Sequence, residues 1–219
     1  MKDGKVHSVF SCTEFKELPN SILNDMGLRS IHPVDTNNIV KNIESKGQIE
    51  IKNFMFSYGK KPFLEIHEVT FPQKSIVAVL GNNGSGKSTF SKCLCGVEEK
   101  AKGTLSINTE IYDTRERLKK CFMVMQDVNH QLFTESVKEE ILLSIENDEN
   151  KEEKVDEICE KLNLMNFIDC HPMSLSGGQK QRVFIARALC HDADLIVMDE
   201  PLAGVDQTSE QIIMDKIKQ

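Results

Sequence analysis

The stretch VAVLGNNGSGKSTF, Val77 to Phe90, decides the fold. It opens apolar, breaks into glycine and closes on a lysine and two hydroxyl residues. Within it lies G-x-x-x-x-G-K-S, Gly81 to Ser88, directly after the apolar run SIVAVL (Ser75 to Leu80). Strand, glycine loop and helix in that order is the context in which this spacing cradles phosphate. Gly84 and Gly86 let the backbone bend so that successive N–H groups converge on phosphate oxygens. The cradle comprises Gly81, Asn82, Asn83, Gly84, Ser85, Gly86, Lys87, Ser88 and Thr89. Lys87 brings a positive charge to the outer phosphates. At ~4 Å and an effective dielectric near 20, one such pair contributes roughly 4 kcal/mol before desolvation is set against it. The Ser88 hydroxyl suits Mg²⁺. The motif points to a nucleoside triphosphate.

Two further apolar runs, CFMVMQ (Cys121 to Gln126) and DLIVMDE (Asp194 to Glu200), do not alternate polar with apolar. With SIVAVL they read as strands buried on both faces of a parallel sheet. Helical patterns lie between them. Lys151 to Ile168 places Val155, Ile158, Leu162 and Met165 on one stripe; the helix from Gln181 places Val183, Ala186 and Leu189 or Cys190 on another. Strands alternating with helices predict an α/β domain with a mostly parallel sheet. The earlier segment GQIEIKNFMFSYG, from Gly47, alternates, but its phase shifts near Asn53. Ile49 and Ile51 fall on one face, Phe54, Phe56 and Tyr58 on the other, and a bulge or bend there would reconcile them. Residues 1 to 44 lack a core pattern and read as a tail and linker.

The 219 residues carry 39% hydrophobic and 28% charged residues, ordinary for a soluble globular chain. No apolar run approaches the ~18 residues that cross a bilayer, and the N-terminus lacks a signal-peptide core, which points to a cytoplasmic chain. Seven scattered cysteines without a CxxC pair indicate neither a disulfide framework nor a zinc site; Cys95, Cys121 and Cys190 interrupt apolar segments as small hydrophobes. The net charge of −7 argues against nucleic acid. Glu139 to Glu160 hold ten acids against two lysines, the signature of an acidic helical face.

A P-loop enzyme needs an acid at the end of a neighbouring strand to hold its metal, and DLIVMDE supplies Asp199 and Glu200. Strand neighbours point to opposite faces, so one carboxylate faces Mg²⁺ while the other reaches an attacking water as base. A second feature is LSGGQKQR, Leu175 to Arg182. A helix starting there already carries roughly +0.5 of an elementary charge at its N-terminus, and Lys180 and Arg182 add to it. An anion seated on that terminus would account for both cations.

Taken in order, FSYG, GNNGSGKST, the Gln after CFMVM, LSGGQKQRVFIARAL and DLIVMDEP followed by AGVD resemble the ATP-binding subunit of an ABC transporter over Gly47 to Asp206. MQDVNHQLFTESVKEEI, around Gln126, most resembles the energy-coupling factor group, which drives uptake of vitamins and of nickel or cobalt ions. The resemblance implies an ABC ATPase: a P-loop NTPase with antiparallel N-terminal strands and a helical subdomain at about 127–180, inserted in an ATP-binding domain spanning 45–219. It implies ATP and Mg²⁺ as cofactors. Tyr58 would stack on adenine, the alternative being a core aromatic beside Phe54 and Phe56. Gln126 would touch Mg²⁺ and the attacking water, Asp199 would hold the metal with Ser88, and Glu200 would be catalytic. Ser176, Gly177, Gly178 and Gln179 form the family signature, and Asp206 belongs to a loop reporting across a dimer. Two such domains would pack head to tail with ATP between the P-loop of one and the signature of the other. The implied partners are that second ATPase domain, a transmembrane coupling subunit and a substrate-binding membrane subunit, at the cytoplasmic face of the membrane.

Two departures stand out. AGVD replaces the commoner S-G-L-D. The family also places a switch histidine roughly 30 residues beyond the catalytic Glu. Here 19 residues follow Glu200 and none is histidine; His7, His32, His67, His130, His171 and His191 all precede it. The start, KDGKVHSVFSCTEFKEL followed by LNDMGLRSIHP, resembles the tail that follows that histidine. The expectation is a piece of a tandem two-domain ATPase, with a circular permutation as the variant. Two other functions compete. A chromosome or translation ABC protein would carry coiled coils or basic linkers, whereas Lys87 and Ser176 are only 89 positions apart. A regulatory module without turnover fits the missing histidine.

Overall fold

The computed structural model describes residues 9–26, 47–125, 132–145, 149–203, 205 and 207–217. Two short helices come first, α1 (Cys12–Glu17) and α2 (Asn20–Asp25), α1 opened by a capping box between Ser11 and Glu14. Four antiparallel strands follow in the spatial order β2 (Leu64–Pro72), β1 (Gln48–Phe56), β3 (Lys102–Ile107), β4 (Glu110–Tyr112). The phase shift in the β1 sequence is a bulge. Asn53 takes φ +50°, and the pairing with β3 slips between Lys52 and Met55. The extra residue turns Phe54 and Phe56 back to the face that holds Ile49 and Ile51, so all four enter one core.

Gly103 makes this close approach possible. It sits at φ +106°, and a Cβ there would lie 2.6 Å from the Asn53 carbonyl oxygen. Gly103→Ala therefore combines a disfavoured backbone with a backbone clash. It is expected to lower stability by about 2–3 kcal/mol, a fall in Tm of roughly 4–12 °C by calorimetry; a change under about 0.5 kcal/mol would remove the bulge from the account.

The remaining elements are α3 (Lys87–Leu94), α4 (Thr114–Lys120), β5 (Cys121–Val124), α5 (Val137–Leu142), α6 (Lys151–Lys161), α7 (Gly177–Cys190), β6 (Leu195–Met198) and α8 (Gln207–Ile217). β5 and β6 run parallel in register, Cys121 beside Leu195 through Val124 beside Met198. Their side chains divide between the two cores. Cys121 and Met123 join the antiparallel sheet and α3, while Val124 joins the helical core of α5, α6 and α7. In that second core Val183, Ala186 and Cys190 are buried, so Cys190 completes the α7 stripe and Leu189 is exposed. α6 ends at Lys161, and Cys159 and Leu164 occupy the inner face in place of the exposed Met165.

One expected strand is absent. Ser75 to Leu80 makes no ladder among the described residues, and Ile76, Val77, Val79 and Leu80 are 63%, 50%, 54% and 88% exposed. A continuous apolar run reports an affinity for burial but names no neighbour, and the described β5–β6 pair does not extend to it. No helix among the described residues is long and apolar enough to cross a membrane.

Candidate functional site

Helix α3 begins on Gly86 in the left-handed conformation, φ +97°, and no side chain caps it. Its first N–H groups therefore keep the capacity to bind an anion. Gly86 is required here: beyond the sign of φ, a Cβ would come within 3.3 Å of the Phe63 ring. The loop is closed on itself. Lys87 Nζ donates to the carbonyls of Gly81 at 2.8 Å and Asn82 at 3.0 Å, and the Ser85 amide donates to Asn82 at 3.1 Å. Lys87 thus hangs over the loop with its charge at the rim. Ser88 is exposed, and Thr89 is buried.

An aromatic wall stands beside this loop. Tyr58 is 65% exposed, which excludes the core-aromatic alternative. Its ring packs edge-on against Phe56 and Phe63, with centroids 4.7 and 5.3 Å away. Its hydroxyl is hydrogen-bonded to Thr89 Oγ1 at 3.0 Å, tying the wall to the first turn of α3. Phe63 belongs to the site although its sequence context, KKPFLEI, carried no signal beyond aromaticity. The hairpin closure from Phe63 N–H to the Phe56 carbonyl at 2.9 Å is what sets it next to Tyr58.

At the end of β6, the Asp199 amide donates to the Val124 carbonyl at 2.9 Å, so Asp199 is held at the strand end. Glu200 then takes φ +49°, a left-handed conformation that is strained for a non-glycine residue and recurs at functional positions. The ladder itself ends at Met198, so a left-handed turn, not strand alternation, separates the two carboxylates.

The signature helix α7 is capped by its own residues. Ser176 Oγ accepts from the Gln179 amide, and Gln179 Oε1 accepts from the Ser176 amide at 2.8 Å. That leaves the Gly177 and Gly178 amides without an intrahelical acceptor. Among the described residues, the hydrogen bonds of Ser176 and Gln179 close on one another and do not reach the P-loop. The two cations also separate. Arg182 is buried and its Nη1 donates to the Leu162 carbonyl at 3.1 Å, so its place has a packing reason. Gln126 and Asp206 lie outside the described residues. Neither described histidine near the helical core approaches the P-loop: His171 caps the 3₁₀ turn Pro172–Ser174, and His191 caps the end of α7 against Phe122.

The glycine loop on an uncapped helix, the lysine at its rim and the flanking aromatic wall fit a triphosphate. This is the class of P-loop nucleotide-binding proteins. A sequence model of the ABC transporter family matches residues 64–203. A putative ABC transporter ATP-binding protein of Treponema denticola is 32% identical over 96% of this chain, which covers 44% of that relative. The energy-coupling factor transporter ATP-binding protein EcfA1 of Mycoplasmopsis pulmonis is 34% identical, with 78% of this chain and 68% of that protein covered. A solved structure of cbiO1 from Clostridium perfringens, described as part of the ABC transporter complex cbiONQ, has the same fold at TM-score 0.66 and 24% identity, covering 78% of this chain and 72% of that one. The chain belongs to the ABC transporter family. It spans less than half the length of the Treponema denticola relative.

Proposed function

We propose that this chain is the ATP-hydrolysing motor of a membrane importer of the energy-coupling factor type, working as a head-to-tail pair of ATPase domains. The observation that carries the reading is the pairing of an uncapped, lysine-rimmed P-loop helix with a second helix whose first two amides, at Gly177 and Gly178, lack acceptors. Each is half of a phosphate site. Among the described residues the two halves do not meet through hydrogen bonds, which supports a second domain, identical or homologous, as the source of the complementary half. The relatives EcfA1 and cbiO1 support a transmembrane coupling subunit and a substrate-binding membrane subunit as further partners, at the cytoplasmic membrane face. In this reading residues 1–44 are a tail or linker and 45–219 the ATP-binding domain, with its helical part at about 127–180.

Each group then has a stated task. The α3 amides and Lys87 hold the phosphates, Tyr58 offers its exposed ring to adenine, and Ser88 with Asp199 and Gln126 would hold Mg²⁺. Bound Mg²⁺ neutralises charge that develops on the terminal phosphate oxygens. Glu200 takes the proton of the attacking water, and Ser176, Gly177, Gly178 and Gln179 supply donors to the partner's γ-phosphate. Asp206 reports across the pair.

Replacing Lys87 with Ala tests the nucleotide site directly. The charge contributes roughly 2–4 kcal/mol after desolvation, so the Kd for ATP, read by calorimetric titration, is expected to rise by about 30- to 1,000-fold. A Kd within threefold of the parent chain would move the phosphate site elsewhere.

A further inference from the structure

Phe63 stands at the corner between the aromatic wall and the phosphate loop. Its ring meets Tyr58 edge-on, with centroids 5.3 Å apart and planes at 65°. Its Cε1 also lies against Gly86, the residue on which α3 begins, since a Cβ there would be 3.3 Å away. The backbone sets this position. The β1–β2 ladder closes on the pair Phe56 and Leu64, and the Phe63 amide donates to the Phe56 carbonyl at 2.9 Å. Tyr58 and Phe63 therefore flank one hairpin connection, just past the end of β1 and just before the start of β2.

Tyr58 is held at three points. Phe56 and Phe63 meet its ring, and Thr89 Oγ1 is hydrogen-bonded to its hydroxyl at 3.0 Å. Two of these supports are buried: Phe56 belongs to the core of the antiparallel sheet, and Thr89 lies in the first turn of α3. Phe63 differs, because it is 48% exposed. A half-exposed ring gains only part of the burial free energy open to a core phenylalanine. What it gains where it stands is the added attraction of an edge-on aromatic pair. A side chain ordered before its ligand arrives relieves the ligand of the entropy cost of ordering it.

We propose that Phe63 is a positioning residue of the nucleotide site: braced on the Gly86 turn, it holds the Tyr58 ring where a base stacks on it. The inference rests on Tyr58 as the base platform of the proposed function. Phe63 acts through Tyr58. Its loss frees the platform and leaves Lys87 and the α3 amides in place.

Two readouts on the full chain test this. Tyr58 and Tyr112 are its two tyrosines, and it has no tryptophan. Tyr112→Phe removes one hydroxyl, hydrogen-bonded to Asp194, and leaves Tyr58 as the source of tyrosine emission. In that background Phe63→Ala is expected to lower the emission anisotropy before any nucleotide is added; an unchanged anisotropy would overturn the proposal. The second readout is the Kd for Mg-ATP, by calorimetric titration, in a double-mutant cycle. Phe63→Ala alone is expected to raise Kd about three- to tenfold, the effect of one aromatic pair. In Tyr58→Ala the same change is expected to alter Kd by less than about twofold. Equal factors in both backgrounds would mean that Phe63 acts without Tyr58, and would overturn the proposal. So would an unchanged Kd in Phe63→Ala where Tyr58→Ala weakens binding. An unchanged Kd in Tyr58→Ala would overturn the base-platform reading and this proposal with it, an outcome distinct from the other two. If circular dichroism shows Phe63→Ala unfolded, Phe63→Leu carries both measurements, since it removes the ring and keeps apolar bulk.

Discussion

Glu200→Gln lowers steady-state ATP hydrolysis by about 10²- to 10⁴-fold, the range lost when a general base is removed, and leaves the Kd for ATP within about threefold. The expectation follows from where Glu200 stands. It comes directly after Asp199, whose amide is fixed to Val124, and its own backbone is held at φ +49°. A left-handed non-glycine residue costs about 1–3 kcal/mol and persists where the surroundings impose it. Glutamine keeps the shape and removes only the basicity. A rate equal to that of the parent chain would take the base role from Glu200, and a lost affinity would make it a binding residue.

The second large effect concerns stability. Glu140 on α5 is fully buried, and all of its acceptor capacity is used. Its Oε1 accepts from Arg187 Nη1 at 2.8 Å; its Oε2 accepts from the Phe133 and Thr134 amides and from Thr134 Oγ1, at 2.9, 3.1 and 2.9 Å. Arg187 extends from the signature helix α7, donates from Nε to Ser144 Oγ at 3.1 Å and stacks near Phe122 and Phe184. One carboxylate thus joins the segment following residue 131 to the helix that carries Ser176. Glu140→Ala leaves a desolvated guanidinium and two backbone amides without their acceptor. Removing one partner of a buried pair costs about 3–5 kcal/mol, so Tm is expected to fall by roughly 6–20 °C. A loss below about 1 kcal/mol would mean that the pair does not hold α5 to α7.

Much of this architecture was legible in the residues, and the exceptions share a cause. The phosphate loop could be read because its glycines and lysine act through local backbone geometry, which spacing encodes. The phase shift at Asn53 foretold the bulge for the same reason. Ser75 to Leu80 was misread because pairing depends on a neighbour, which the run itself does not specify. Glu140 carries a buried charge whose partner, Arg187, lies 47 residues further along the chain. A charged residue in an acidic helix reads as a solvated face until the fold brings its partner to it. Phe63 was missed similarly, since only the hairpin closure makes it part of the aromatic wall.

The central claim is that catalysis needs two domains, each lending the other half of a phosphate site. The most direct measurement is the mass of Glu200→Gln in solution, by sedimentation velocity with saturating Mg-ATP and again with Mg-ADP. The account predicts a shift from one 24.8 kDa chain to a species of twice that mass with ATP alone. A single-chain mass with ATP demonstrably bound would contradict it.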